Sequence, residues 1–179
     1  MIVYLVGYRC TGKSTIGRAL AARLGFDFVD ADEGLVARAG RSIAETVSVY
    51  GWERFRAEER GFLESLRGLE DTVVATGGGV VLDPRNIRTM RETGFVIALR
   101  RSAEGILRSM ARDEKSAVFR PPLTDKDAAS EVAQTLLERG PLYGAAADFE
   151  TDTEDFDIER IVDELVGAVG KEGEGRYGR

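Results

Sequence analysis

The sequence predicts a three-layer α/β fold, a five-stranded parallel sheet flanked by helices, and three observations carry that prediction. Short apolar or β-branched runs alternate along the chain with stretches of helical period, the pattern of successive βαβ units. The first run, Ile2 to Val6, is apolar throughout, as a strand buried on both faces requires. Glycines, carboxylates and arginines follow the strands directly, at Gly7 to Ser14, Asp30 to Asp32, Gly77 to Gly79 and Arg100-Arg101. In open parallel sheets the carboxyl ends of the strands are where ligands sit.

Taken in order, the Ile2 to Val6 strand leads into a helix over about 13–24, with Ile16, Leu20, Ala21 and Leu24 on one face and Gly25 as stop signal. Phe26 to Val29 is the second strand, ending in Asp30-Ala31-Asp32. Helical patterns then cover about 33–39 and 43–67, the second broken near Gly51. Thr72 to Thr76 is a short β-branched strand, and Pro84 opens a helix that Gly94 ends. Phe95 to Leu99 is the fourth strand, with helix over about 102–112. Residues 113–125 hold charges and the Pro121-Pro122 pair without a period, so they are expected to form a loop. Helix is expected over about 127–139 and, beyond Gly140-Pro141, to about 147, followed by a strand near Phe149 to Asp152 and a helix over about 158–169. The glycine-rich, charged stretch 170–179 is expected to be a disordered tail. That leaves one domain, 1–169, with no internal repeat and no linker.

Composition narrows the classes. For 179 residues a single α/β domain is the natural count. One cysteine, Cys10, rules out an internal disulfide and suits a reducing cytoplasm. Histidine is absent, so proton transfer must fall to Asp, Glu, Lys or water. A net charge of −6 argues against a nucleic-acid surface. No membrane span and no leader peptide are expected, because Ile2 to Val6 is too short for either.

Gly7-Tyr8-Arg9-Cys10-Thr11-Gly12-Lys13-Ser14 fits G-x-x-x-x-G-K-[ST], the phosphate-binding loop. Its glycines let successive amides turn inward as an anion nest, and the following helix adds the positive end of its dipole. Lys13 reaches the outer phosphates and Ser14 offers a hydroxyl to Mg²⁺. A strand-to-helix turn that binds nothing is the alternative, and the strand–loop–helix setting speaks against it. Cys10 reads as a small filler residue, with oxidation or alkylation that blocks the nucleotide as the other option.

Asp30 and Asp32, two apart at a strand end, share a face and can turn both carboxylates into one pocket. The plainer alternative is a capped strand terminus with Asp32 as helix N-cap. Gly77-Gly78-Gly79 exceeds what a tight turn needs and suggests a ligand pressed against the chain. Arg56 and Glu59, three apart on a helix, form either a surface pair or an arginine oriented for a carboxylate. Arg120, beside Pro121-Pro122, stands in the one long irregular stretch, where a lid can bring an arginine to a transferring phosphate. Arg139, just before Gly140-Pro141, would by itself be an ordinary helix-terminal cation.

With these motifs in order, G-Y-R-C-T-G-K-S-T, F-V-D-A-D, G-R-S-I-A-E, F-R-A-E-E, A-T-G-G-G, R-P-P-L-T and L-L-E-R-G-P-L-Y, the chain resembles the shikimate kinases from Ile2 to about Val169. These are small P-loop kinases of the nucleoside-monophosphate-kinase-like group, and R-P-P-L-T looks closest to the second bacterial isoenzyme type. The resemblance implies a cytoplasmic monomer that uses ATP and Mg²⁺ to phosphorylate the 3-hydroxyl of shikimate. It implies ATP contacts from Arg9, Cys10, Thr11, Gly12, Lys13, Ser14 and Thr15, with Arg108 by the adenine and Arg120 arriving on a lid at about 113–125. Ser14 and Asp30 would hold the metal. Asp32 would bind substrate hydroxyls and accept the proton, Arg56 and Arg139 would clamp the carboxylate with Glu59 orienting Arg56, and Gly77, Gly78 and Gly79 would line the same site. Lys13, Asp32 and Arg120 are thus the catalytic candidates. The chain departs from the family in lacking a proline over 152–157 and in carrying Pro122 in the lid. Rival functions are a related P-loop kinase for another small acceptor, such as gluconate, and a non-catalytic shikimate-binding regulator.

Overall fold

The computed structural model describes residues 1–112 and 127–177, with side chains to residue 173. Five strands, β1 (Ile2–Val6), β2 (Asp27–Asp30), β3 (Thr72–Ala75), β4 (Gly94–Arg100) and β5 (Phe149–Asp152), pair in parallel in the order β2-β3-β1-β4-β5. The described helices are α1 (Lys13–Leu24), α2 (Ala31–Ala39), α3 (Ile43–Ser65), α4 (Pro84–Thr93), α5 (Ala103–Arg112), α6 (Ala128–Ala146) and α7 (Ile158–Tyr177).

Because side chains alternate along a strand, β1 feeds two cores. Ile2, Tyr4 and Val6 pack with Leu63, Met90, Ile106 and Val132 on one side of the sheet. Val3 and Leu5 pack with Ile16, Leu20, Ile161 and Leu165 on the other. All five β1 side chains are essentially excluded from water, so the central strand is fixed from both faces. The chain turns to β2 and β3 on one side of β1 and to β4 and β5 on the other. The loop after β1 therefore opens at the point where the strand order reverses, the usual ligand crevice of such sheets.

Local chemistry sets the helix ends. Asp30 caps α2 by accepting from the amides of Asp32 and Glu33. Ser42 and Glu45 form a reciprocal capping box at the start of α3. The break expected near Gly51 is present: Gly51 has φ 80°, a value that glycine adopts without strain, and it kinks α3.

Two expectations need correction. α6 runs unbroken through Gly140 and Pro141, so Arg139 lies inside a helix rather than at its end. Proline removes one helical hydrogen bond, and the burial of Val132, Tyr143 and Ala146 keeps the helix together. The stretch expected to be a disordered tail continues α7 to Tyr177. Val169 is the last residue of that helix buried in the core, and the helix continues beyond it against the low helix propensity of Gly170 and Gly173. No helix among the described residues is long and apolar enough to cross a membrane.

Leu5→Ala should cost ~2–5 kcal/mol, because the two-sided packing around β1 cannot collapse into the cavity. The thermal midpoint would then fall by at least ~4 °C, read by circular dichroism, with retention of the helical spectrum.

Candidate active site

The phosphate loop is shaped by bonds to its carbonyls. Lys13 Nζ donates to Gly7 O at 2.8 Å and Tyr8 O at 2.7 Å. Thr11 Oγ1 also donates to Tyr8 O, at 2.9 Å. Arg101 Nη1 donates to Cys10 O at 3.2 Å, and Thr153 Oγ1 to Thr11 O at 3.1 Å. With these carbonyls engaged by the protein, the amides are the edge left for an anion, and Gly12 at the start of α1 has no side-chain cap. Thr15 sits exposed in the first turn of α1, and Cys10 packs against the first core with φ 61°, consistent with a small filler.

Asp30 and Asp32 do not share a strand face as the sequence suggested. Asp30 ends β2, and Asp32 lies in the first turn of α2, because Asp30 itself is the N-cap. The capping geometry nevertheless separates their tasks. Asp30 Oδ2 accepts from Ser14 Oγ at 2.5 Å, which joins the two residues expected at the metal. Asp32 turns instead toward the neighbouring cavity.

That cavity, open to solvent, lies beside the phosphate loop. Asp32, Arg56, Glu59, Arg139 and the three glycines line it, with Arg9, Tyr8, Trp52 and Phe55. Arg56 Nη1 donates to Glu59 Oε2 at 2.7 Å, and its guanidinium lies over the Trp52 and Phe55 rings at 5.4 and 5.1 Å. Arg139 Nη1 and Tyr143 Oη both donate to Gly78 O, at 3.4 and 2.5 Å. Burial pushes the Tyr143 phenol up to about 12, so it remains a donor at neutral pH. Burial also raises the Glu59 carboxyl, against the opposing pull of Arg56 and Arg139 and with further help from Asp32. Among the described residues Glu59 Oε1 has no hydrogen-bond partner.

The glycines earn their place by what a side chain would displace. A Cβ on Gly77 would stand 2.8 Å from Glu59 Oε1 and 2.9 Å from Asp32 Oδ1. One on Gly79 would fall inside the Arg56 guanidinium, whereas one on Gly78 would make only ordinary contact with the backbone of residues 7–9. Gly77 and Gly79 thus make room for charged groups.

On the far side of the phosphate loop, Arg101 stacks on Phe156 at 5.2 Å, and Phe156 closes on Gly12. Arg108, expected near a nucleotide base, pairs with Glu104 at 3.2 Å and Glu154 at 2.6 Å on this side. Arg120 and the expected lid over 113–125 lie outside the described residues. Among the described residues no group of three or more acidic, cysteine or histidine side chains forms a metal cluster.

Sequence reasoning missed Tyr8, Glu131, Tyr143 and Thr153. It took Arg9 as a nucleotide contact and had no role for its side chain, which lines the cavity and pairs with Glu131. Glu131, Tyr143 and Thr153 have no spacing signal, since their partners lie far along the chain or are backbone atoms.

A phosphate loop abutting a cavity walled by arginines and carboxylates, on a β2-β3-β1-β4-β5 sheet, defines a P-loop kinase for a small anionic acceptor. The comparisons place it more closely. The family model described as Shikimate kinase matches residues 9–169. The shikimate kinase of Nitratidesulfovibrio vulgaris is 46% identical over 145 residues, 81% of this chain and 82% of that protein. Shikimate kinase 2 of Yersinia pestis is 39% identical over 172 residues, 94% of this chain and 98% of that one. The structure of shikimate kinase from Acinetobacter baumannii in complex with shikimate superposes with a TM-score of 0.88 at 28% identity, covering 96% of this chain and 93% of that one. The chain belongs to the shikimate kinase family, whose members are ATP-dependent kinases.

Because the folded-state Glu59 carboxyl lies above its unfolded value, ionising it costs the folded protein stability as pH rises through the folded value. Glu59→Gln should therefore flatten that part of the stability–pH profile and leave the melting midpoint at pH 7.5 no lower than wild type. The same variant should raise the acceptor KM roughly tenfold, because the Arg56 guanidinium loses its charged guide. A lowered midpoint with unchanged KM would make Glu59 a purely structural residue.

Proposed function

We propose that the protein transfers the γ-phosphoryl group of ATP to the 3-hydroxyl of shikimate, giving shikimate 3-phosphate and ADP in aromatic amino-acid biosynthesis. The single observation that carries this is the cavity that the phosphate loop and the three glycines line together. Tyr8, Arg9 and Gly78 stand on its loop side, and Asp32, Arg56, Glu59 and Arg139 surround the rest. A compact acid bearing three hydroxyls accounts for two arginines and a carboxylate pair facing one space. The Acinetobacter relative is described with shikimate bound, and membership of the family supports the same ligand for this cavity.

In this account Arg56, oriented by Glu59, and Arg139 hold the carboxylate, which places the ring hydroxyls toward Asp32. Asp32 binds those hydroxyls and receives the proton of the attacking one, a role that no histidine is present to take. The loop amides of Arg9, Cys10, Thr11, Gly12, Lys13, Ser14 and Thr15 hold the ATP phosphates, and the Lys13 ammonium swings from its carbonyl bonds to the outer ones. Arg108 borders the adenine, and Arg120 meets the transferring phosphate from the lid. Ser14 Oγ and the Asp30 carboxylate, already in contact, fit Mg²⁺, which takes oxygen ligands and keeps several waters. When bound, the ion neutralises charge shared by the β- and γ-phosphates. The rest is positioning: Arg and Asp side chains fix the acceptor, and the loop fixes the donor. A monomer in the cytoplasm completes the proposal, and the single cysteine suits a reducing compartment.

Release of ADP from MgATP should depend on shikimate and remain at background with gluconate or a nucleoside monophosphate. Turnover with gluconate instead would favour the rival acceptor, and tight shikimate binding without ADP release would favour the regulator. Asp32→Ala should lower kcat by ~10²-fold or more with the fold intact by circular dichroism. Arg56→Ala and Arg139→Ala should act chiefly on the shikimate KM, raising it about tenfold or more with little change in that for ATP.

A further inference from the structure

Outside the residues just assigned, one carboxylate is buried beside the site without a role. Glu131, near the start of α6, is 4% exposed. It pairs with the Arg9 guanidinium of the phosphate loop. Tyr8 Oη donates to the same Glu131 oxygen at 3.5 Å and receives a bond from Arg9 Nε at 3.2 Å. Both partners of the ion pair are nearly closed off from water, with side chains 12% and 5% exposed. A buried pair of this kind is a poor source of stability but a strict one of geometry.

What it fixes is the relation between two ligand sites. About two and three turns further along α6, Arg139 and Tyr143 reach Gly78 O. Gly78 in turn lies beside the phosphate loop, near enough that a Cβ there would come into ordinary contact with Arg9 N at 3.4 Å and Gly7 O at 3.5 Å. A closed circuit results, from the phosphate loop through Gly78 to Arg139 and Tyr143, along the rigid helix to Glu131, and back through Arg9 to the loop. The Glu131 link is thus a second polar tie between α6 and the loop region, near the other end of the helix from the one through Gly78.

We infer that Glu131 is a positioning residue that acts through Arg9: it locks helix α6, and with it Arg139, to the phosphate loop, and so sets the distance between the acceptor and the phosphoryl donor. The inference rests on the acceptor site proposed above. Donor binding to the loop amides does not need the link, whereas alignment of the acceptor does, and a misplacement on the order of 1 Å can cost up to about a hundredfold in rate.

The test measures steady-state kinetics for shikimate, and MgADP affinity without shikimate, in wild type, Glu131→Gln and the double variant Arg9→Met/Glu131→Gln. Glu131→Gln should lower kcat/KM for shikimate about tenfold or more while MgADP affinity stays within about twofold. The double variant leaves no unpaired buried charge, and its loss should match that of the single variant rather than add to a separate Arg9 effect, measured with Arg9→Met. If Glu131→Gln fails to fold, the double variant decides alone, with the same expected loss. Wild-type kcat/KM in the folded variant, MgADP affinity falling in step with kcat/KM, or losses that multiply would each overturn the inference. A wild-type enzyme inactive on shikimate would instead overturn the function on which it rests.

Discussion

The structure depends first on how the carbonyls of the phosphate loop are held. A loop that must present amides to an anion has to hide its carbonyls, and an unbonded buried carbonyl is costly. Here the bonds come from Lys13 on α1, Arg101 just past β4 and Thr153 just past β5. Each donor sits at the carboxyl end of a strand or the start of the helix that follows one. The parallel sheet therefore does more than carry the loop: its strand order brings together the donors that shape it. β1, buried on both faces, supplies the fixed point from which the loop departs.

The acceptor cavity runs on the opposite economy, with charges kept close and incompletely bonded. Glu59 is buried with one oxygen unbonded and its carboxyl raised, yet it guides Arg56. Asp32 and Glu59 both turn toward Gly77, two carboxylates that repel each other across space a side chain would have filled. A ligand that accepts from the arginines and donates hydroxyls to the carboxylates offsets their repulsion, and one that lacks those groups does not, which is a basis for discrimination between acceptors.

Much of this was legible in the sequence, for reasons that differ by residue. The phosphate loop is legible because its spacing is imposed by local backbone geometry, and the three central strands because burial on both faces leaves apolar or β-branched runs. Asp30 and Asp32 were read as functional for the wrong local reason: the cap at Asp30 starts α2 at Ala31, two residues earlier than the strand reading allowed. Gly77 to Gly79 was read as ligand contact, and the three glycines line the cavity beside Asp32, Glu59 and Arg56. The continuity of α6 past Pro141 comes from tertiary anchoring by Tyr143 and Ala146, which outweighs local propensity, whereas none of residues 170–173 is buried where α7 continues. Glu131 and Arg9 are separated by more than a hundred residues, and only the fold shows that they meet.

The most direct test of the central claim is a crystal structure with shikimate, Mg²⁺ and a non-hydrolysable ATP analogue bound together. The account predicts the shikimate carboxylate between Arg56 and Arg139, a ring hydroxyl on Asp32 and facing the terminal phosphate, and the triphosphate in the loop over Lys13. Shikimate seated elsewhere, for instance in the groove by Arg60, Asp83 and Arg85, or with its carboxylate turned away from both arginines, would contradict it.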